Sequence, residues 1–170
     1  MKRNNTSRRV LFLCRAALIG ALYAALTYLG MPFASGVIQF RISEALCILP
    51  LFLPEAIPGL YVGCILANIF PSLSVPDMIF GSLATLIGAV GAYLLRNLPL
   101  KWRWVATLPT IFANAFIVPL VLRFSYGSPD SYMFMFASVG IGEIVCAGIG
   151  GSLLYYTLRK TPLFAVDNSK

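Results

Sequence analysis

The stretch Val10-Leu11-Phe12-Leu13-Cys14-Arg15-Ala16-Ala17-Leu18-Ile19-Gly20-Ala21-Leu22-Tyr23-Ala24-Ala25-Leu26-Thr27-Tyr28-Leu29 holds a single charge, Arg15. About 20 such residues in a helix cross the ~30 Å hydrocarbon core of a bilayer, so this run reads as a transmembrane helix. It is too long for the core of a signal peptide, and no clean small-residue cleavage site follows it. The rest of the chain repeats the pattern. Of 170 residues, 59% are hydrophobic and 11% charged, with a mean hydropathy of +0.84. A soluble domain carries about 25% charged residues, so thirteen basic and six acidic side chains cannot wet a globular exterior. The composition predicts one all-α integral membrane domain, residues 1–170, with no soluble module.

Six transmembrane helices can be drawn, at about 10–29, 44–53, 55–70, 77–95, 104–122 and 131–158. Pro50 interrupts the second and Pro54 ends it, so one longer broken helix over 44–70 is the alternative. Six crossings put both termini on one side of the membrane. If that side is cytoplasmic, it holds Lys2, Arg3, Arg8, Arg9, Arg15, Arg96, Lys101, Arg103, Arg159, Lys160 and Lys170, against Arg41 and Arg123 outside. Such a bias satisfies the positive-inside rule and sets N- and C-termini in the cytoplasm. Trp102 and Trp104, beside Lys101 and Arg103, read as an interfacial anchor. The net charge of +7 therefore reflects topology, and no basic face or recognition motif points to nucleic acid.

Four cysteines (Cys14, Cys47, Cys64, Cys146) lie singly in apolar spans, and there is no histidine. Zinc, haem and dithiol chemistry lose their usual ligands, so neither a metal nor a cofactor is expected, and no catalytic set is found. What remains is a group of polar residues on the outer side of the predicted bundle. Gln39, Arg41 and Glu44 lie in or just after the first outer loop, Asn68 at the outer end of the third span, and Asp77 at the start of the fourth. Asn114 sits near the middle of the fifth span and Glu143 in the outer half of the sixth. Such a group describes a pocket opening outward. Glu143 is the most informative member, because an ionised side chain near a bilayer centre costs about 2.5–3.5 kcal/mol to insert and faces a partner or a cavity. Substrate contact and an ion pair with Arg41 or Arg123 are both open for it. Glu44 and Asp77 suit helix first turns, where acids favour the dipole, and Asn68 and Asn114 could tie helices by hydrogen bonds. Ala17, Ala21 and Ala25 recur every four residues on the first span, a spacing that lets helices approach closely, either inside the bundle or against another membrane protein.

The runs Ile38-Gln39-Phe40-Arg41-Ile42-Ser43-Glu44-Ala45-Leu46, Gly63-Cys64-Ile65-Leu66-Ala67-Asn68 and Asp77-Met78-Ile79-Phe80-Gly81-Ser82-Leu83-Ala84-Thr85-Leu86 resemble the QueT family. That family comprises substrate-binding subunits (S-components) of energy-coupling-factor importers for queuosine precursors, and the resemblance spans nearly the whole chain. It implies an S-component-like bundle in the plasma membrane that captures its substrate at the outer face. The chain would then dock on a module of two ATPase subunits and a transmembrane coupling protein, using the A-x-x-x-A face Ala17, Ala21, Ala25. The sequence has no G-x-x-x-x-G-K-[ST] loop, in keeping with ATP hydrolysis by those partners. The implied ligand is a 7-deazaguanine, in its aminomethyl or cyano form. Glu143 and Glu44 offer carboxylates for its N–H donors; Asn68, Asn114 and Gln39 offer amides; an aminomethyl cation would use a second acid, the other glutamate or Asp77.

Three rivals stay open: an S-component for another vitamin or nucleobase, an intramembrane enzyme, and an assembly scaffold. No Ser–His pair, metal set or acidic pair at fixed helical spacing supports the enzyme. A scaffold would tolerate loss of the outer polar residues, whereas a binding subunit would not.

Overall fold

The protein's computed structural model describes residues 5–34, 40–72 and 75–161, and every regular element among them is helical. Helix α1 (Asn5–Ala34) is followed by a 3₁₀ helix (Ile42–Leu51), α2 (Ala56–Ser72), and a π turn (Asp77–Gly81) that runs into α3 (Ser82–Leu94). Two 3₁₀ segments, Leu95–Asn97 and Leu100–Thr107, lead to α4 (Leu108–Tyr126). Helix α5 (Tyr132–Glu143) continues through a π-helical stretch (Ile144–Gly150) into α6 (Gly151–Arg159). Four runs are long and apolar enough to cross a membrane: Asn5–Pro32, Asp77–Asn97, Leu100–Ser125 and Tyr132–Arg159. The segments expected at 44–53 and 55–70 are shorter apolar helices, Ile42–Leu51 and Ala56–Ile69.

The break between those two short helices is real, and they form no single long helix. Pro54 and the turn around it separate them, and the first is wound as 3₁₀. At ~2.0 Å rise per residue, ten residues reach ~20 Å, against ~15 Å in an α-helix, so the tighter winding lengthens a short element.

Contacts fix the direction of each element. Gly20 of α1 meets Gly59 and Gly63 of α2, and Ala16 meets Gly59, while Arg15 Nη1 donates to Glu55 Oε1 at 2.9 Å. The Tyr28 hydroxyl donates to the Leu66 carbonyl at 2.9 Å. Rising residue numbers on α1 match rising numbers on α2, so the two helices run parallel. The 3₁₀ helix between them returns the chain: its start lies by Thr27 and Asn68, and Phe52 after it stacks on Tyr155, 5.1 Å between centroids. Later helices alternate. Gly88 and Gly91 of α3 face Thr110 and Pro109 of α4, and Gly140 and Gly148 of the last rod face Ala115 and Ile111. At the end of α4, Gly127 takes φ 60° and closes the helix, a left-handed conformation that suits glycine. Ser131 caps α5 by accepting from the Phe134 amide at 3.3 Å.

The seam between α1 and α2 is the one where glycines meet backbone on both sides. A Cβ on Gly63 would stand 2.6 Å from the Gly20 carbonyl oxygen, and one on Gly59 2.5 Å from that of Ala16. The backbones touch, which only glycine on α2 permits. The alanine stripe plays no part in it: Ala17, Ala21 and Ala25 are all exposed, while Ile19, Gly20 and Tyr23 turn inward. The surface as a whole is apolar, with Leu29 76% and Phe124 80% exposed. A chain so faced has lipid or another membrane protein as its solvent.

Candidate functional site

The inward face of α1 meets the first turns of the 3₁₀ helix around one buried carboxylate. Glu44 is fully buried. The Tyr23 hydroxyl donates to its Oε1, the Thr85 hydroxyl of α3 donates to the same oxygen at 3.2 Å, and the Cys47 thiol donates to Oε2 at 3.1 Å. One residue earlier, Ser43 accepts from the Thr27 hydroxyl at 2.8 Å. Glu44 stands in a helix first turn as expected, but no side chain caps that helix. Its carboxylate instead binds three helical elements together. Both oxygens are satisfied, so this buried polar group is held by hydrogen bonds.

Arg41 lies next to this group. Its Nη2 donates to Asn68 Oδ1 at 2.9 Å, and its electrostatic surroundings include Tyr23, Cys64, Glu44 and Asp77. Asn68 Nδ2 in turn reaches the Asp77 carbonyl at 3.4 Å. Asn68 thus ties α2 to the 3₁₀ entrance and to the π turn, one of the roles open to it from the sequence. No side chain caps the element that Asp77 opens; Asp77 belongs to the surroundings of Arg41.

Asn114 and Glu143 behave differently. They are 0% and 2% exposed, and Glu143 has Glu44, Arg41 and Asn114 in its electrostatic surroundings. Yet Asn114 Oδ1, Asn114 Nδ2 and Glu143 Oε2 have no hydrogen-bond partner among the described residues. Leaving a buried polar group unpaired costs about 1–3 kcal/mol, so these atoms are available to a hydrogen-bonding guest. Asn114 and Glu143 are close enough to interact side chain to side chain, which links α4 to α5 as one of the roles open to Asn114, while these atoms stay short of a well-formed hydrogen bond. Thr110, one turn from Asn114, also has an unpartnered hydroxyl, but it packs over Gly88 of α3 and belongs to the helix seam. The π-helical stretch begins at the residue after Glu143, and its last residue, Gly150, and the first of α6, Gly151, lie against Ala45. Winding of this kind is rare and concentrates at functional sites.

Six of the seven candidate residues therefore converge: Arg41, Glu44, Asn68, Asp77, Asn114 and Glu143. Gln39 lies outside the described residues. The matching family model, described as QueT transporter, covers residues 13–160. The chain belongs to the QueT transporter family. It is 29% identical over 149 residues to the queuosine precursor transporter QueT of Lactococcus lactis subsp. cremoris (strain MG1363), covering 81% of this chain and 86% of that relative. No solved structure matches the chain. Within this QueT family member, three partners of Glu44 escaped the sequence reading: Tyr23, Thr85 and Cys47, the last read only as a cysteine in an apolar span. Tyr23 and Thr85 are single hydroxyls in apolar runs, and only their inward direction reveals them. The signal that could have found Tyr23 is its offset from the alanine stripe, which puts it on the opposite face of α1.

Proposed function

We propose that the chain is the substrate-capture subunit of an energy-coupling-factor importer in the plasma membrane, taking up a queuosine precursor of the 7-deazaguanine class. The observation that carries this reading is the pair Asn114 and Glu143, buried with unpaired hydrogen-bonding atoms beside Glu44 and Arg41. A deazaguanine edge presents N–H donors and one carbonyl acceptor. Glu143 accepts from the donors, and the Asn114 amide answers both kinds of group. Sites of this kind reject ligands that leave buried polar atoms unpaired. Arg41, Asn68 and Asp77 lie beside this pair, and Glu44 braces them. Three carboxyl groups, Glu44, Asp77 and Glu143, share the surroundings of one guanidinium, Arg41. That surplus of carboxyl acceptors suits the aminomethyl form, whose ammonium adds N–H donors, over the cyano form, which adds none.

The same reading makes 1–170 a single membrane domain that crosses the bilayer six times with both termini in the cytoplasm. The parallel α1 and α2 support it, since a returning segment must lie between them. So does the clustering of basic residues at the Arg15–Glu55 end of the bundle. Transport energy comes from partners: two ATPase subunits and a transmembrane coupling protein, with the chain itself not an enzyme. The exposure of Ala17, Ala21 and Ala25 supports their role as the face that meets the coupling protein.

The test is binding of 7-aminomethyl- and 7-cyano-7-deazaguanine to the purified, detergent-solubilised chain, with guanine and riboflavin as controls. Saturable binding of the deazaguanines over the controls, with the aminomethyl form tighter, is expected. Binding of riboflavin or guanine in preference would make the chain an S-component for another ligand. No binding of any of them would sink the capture role assigned to this chain.

A further inference from the structure

Gly81 ends the π turn and is buried. A Cβ on it would stand 3.1 Å from Asn68 Nδ2 and 3.4 Å from Asp77 Oδ1. Both atoms are ends of side chains in the candidate site, whereas a Cβ on Gly20, Gly59 or Gly63 would meet backbone first. The bare α-carbon of Gly81 thus leaves room for an amide, and that amide holds a guanidinium. Asn68 is buried; its Oδ1 accepts from Arg41 Nη2 at 2.9 Å, and its Nδ2 donates to the Asp77 carbonyl at 3.4 Å. Both ends of the π turn, Asp77 and Gly81, therefore meet Asn68, and winding of this kind concentrates at functional sites. On its other side Gly81 borders the Glu44 group, since its carbonyl accepts from the Thr85 hydroxyl at 3.3 Å.

We propose that Gly81 is a positioning residue for ligand capture: its missing side chain lets the Asn68 amide lie against the π turn, and the amide in turn directs the Arg41 guanidinium toward the ligand. The inference rests on the capture role proposed above. A guanidinium presents five N–H donors in a rigid planar fork, so fixing Nη2 fixes the direction of the others, and these suit the carbonyl acceptor of a deazaguanine. The bond from Arg41 to Asn68 is charge-assisted and at full strength at 2.9 Å. A methyl group on Gly81 bears on it directly. At 3.4 Å the Asp77 carboxylate would be in ordinary contact with that methyl, while at 3.1 Å the Asn68 amide would be crowded and has to give way. The amide moves, Arg41 loses its anchor, and the backbone of the π turn is left as it was.

The experiment is a double-mutant cycle: titration of 7-aminomethyl-7-deazaguanine into the purified, detergent-solubilised full chain as the parent, Gly81→Ala, Asn68→Ala and the double variant, with the thermal midpoint of each apo protein. Gly81→Ala keeps the parent's midpoint and weakens binding about tenfold, near the low end of what a hydrogen bond to a charged group is worth. In the Asn68→Ala background the same substitution costs no further affinity, because the amide it displaces is gone. Unchanged affinity in Gly81→Ala, or a full tenfold loss added to that of Asn68→Ala, overturns the proposal and leaves the capture role standing. A lowered midpoint or failure to fold in Gly81→Ala makes Gly81 a packing residue and overturns it as well. If Asn68→Ala binds too weakly to be read, the guanidinium resonance of Arg41 in arginine-labelled apo protein decides, assigned by its loss in Arg41→Lys. It must shift in Gly81→Ala, and an unmoved resonance overturns the proposal. If the parent binds no deazaguanine, the capture reading fails and takes this inference with it.

Discussion

Glu143→Gln separates a binding role from a structural one by giving two readouts of opposite sign. The side chain is 2% exposed and one of its oxygens is unpaired. In the free protein, replacing the carboxyl by an amide of the same size removes a group whose ionised form costs about 2.5–3.5 kcal/mol to insert near a bilayer centre. The thermal midpoint of the detergent-solubilised apo protein should therefore hold or rise. In the complex, the amide keeps one acceptor but sets its NH₂ against the ligand's own N–H donors. Hydrogen bonds to charged groups are worth about 1.5–3 kcal/mol, so the dissociation constant for 7-aminomethyl-7-deazaguanine should rise roughly 10- to 150-fold. Isothermal titration and a thermal-shift series on the same preparation measure both. A fall in apo stability would mean that Glu143 pairs inside the free protein. Unchanged affinity in both Glu143→Gln and Glu143→Ala would remove it from the pocket, and with it the observation on which the functional reading stands.

Three further outcomes are expected. Gly63→Ala brings a Cβ to 2.6 Å from the Gly20 carbonyl oxygen and 2.8 Å from its Cα; since both are backbone, the cost is about 1–3 kcal/mol of overpacking and a lowered thermal midpoint. Gly140→Ala, whose Cβ would find Ala115 Cβ at 3.9 Å, is the control, and an equal drop there would refute the account of the α1–α2 seam. Ala21→Trp should leave deazaguanine binding by the isolated chain unchanged, because Ala21 is exposed and turned away from the site, while abolishing uptake in cells that carry the coupling module; intact uptake would exclude the alanine face from docking. Asn114→Leu replaces an amide with two unpaired atoms and should raise the apo midpoint while removing measurable binding; a lowered midpoint would show that the amide ties helices after all.

The sequence by itself determined the solvent and the cast of residues. A chain with so few charges and repeated apolar runs could only be helical within lipid, because a backbone there must satisfy its own hydrogen bonds. The three motif runs carried the family, and the polar residues stood out because an apolar background makes each one costly. What the sequence left open was direction. Period alone does not say which face of α1 turns inward, so whether Ala17, Ala21 and Ala25 pack inside the bundle stayed open until the glycines of α2 were seen to claim Ala16 and Gly20. Nor does a carboxylate's sequence context reveal its partners. Glu44 read as an acid of a helix first turn and Glu143 as one deep in a span, but neither context named a partner. Only the tertiary structure surrounds the first with donors from Tyr23, Thr85 and Cys47 and leaves an oxygen of the second bare. Hydrogen bonds between residues 21 and 41 positions apart depend on how helices are set against each other, and that is decided by backbone contact at glycines, which no hydropathy pattern records.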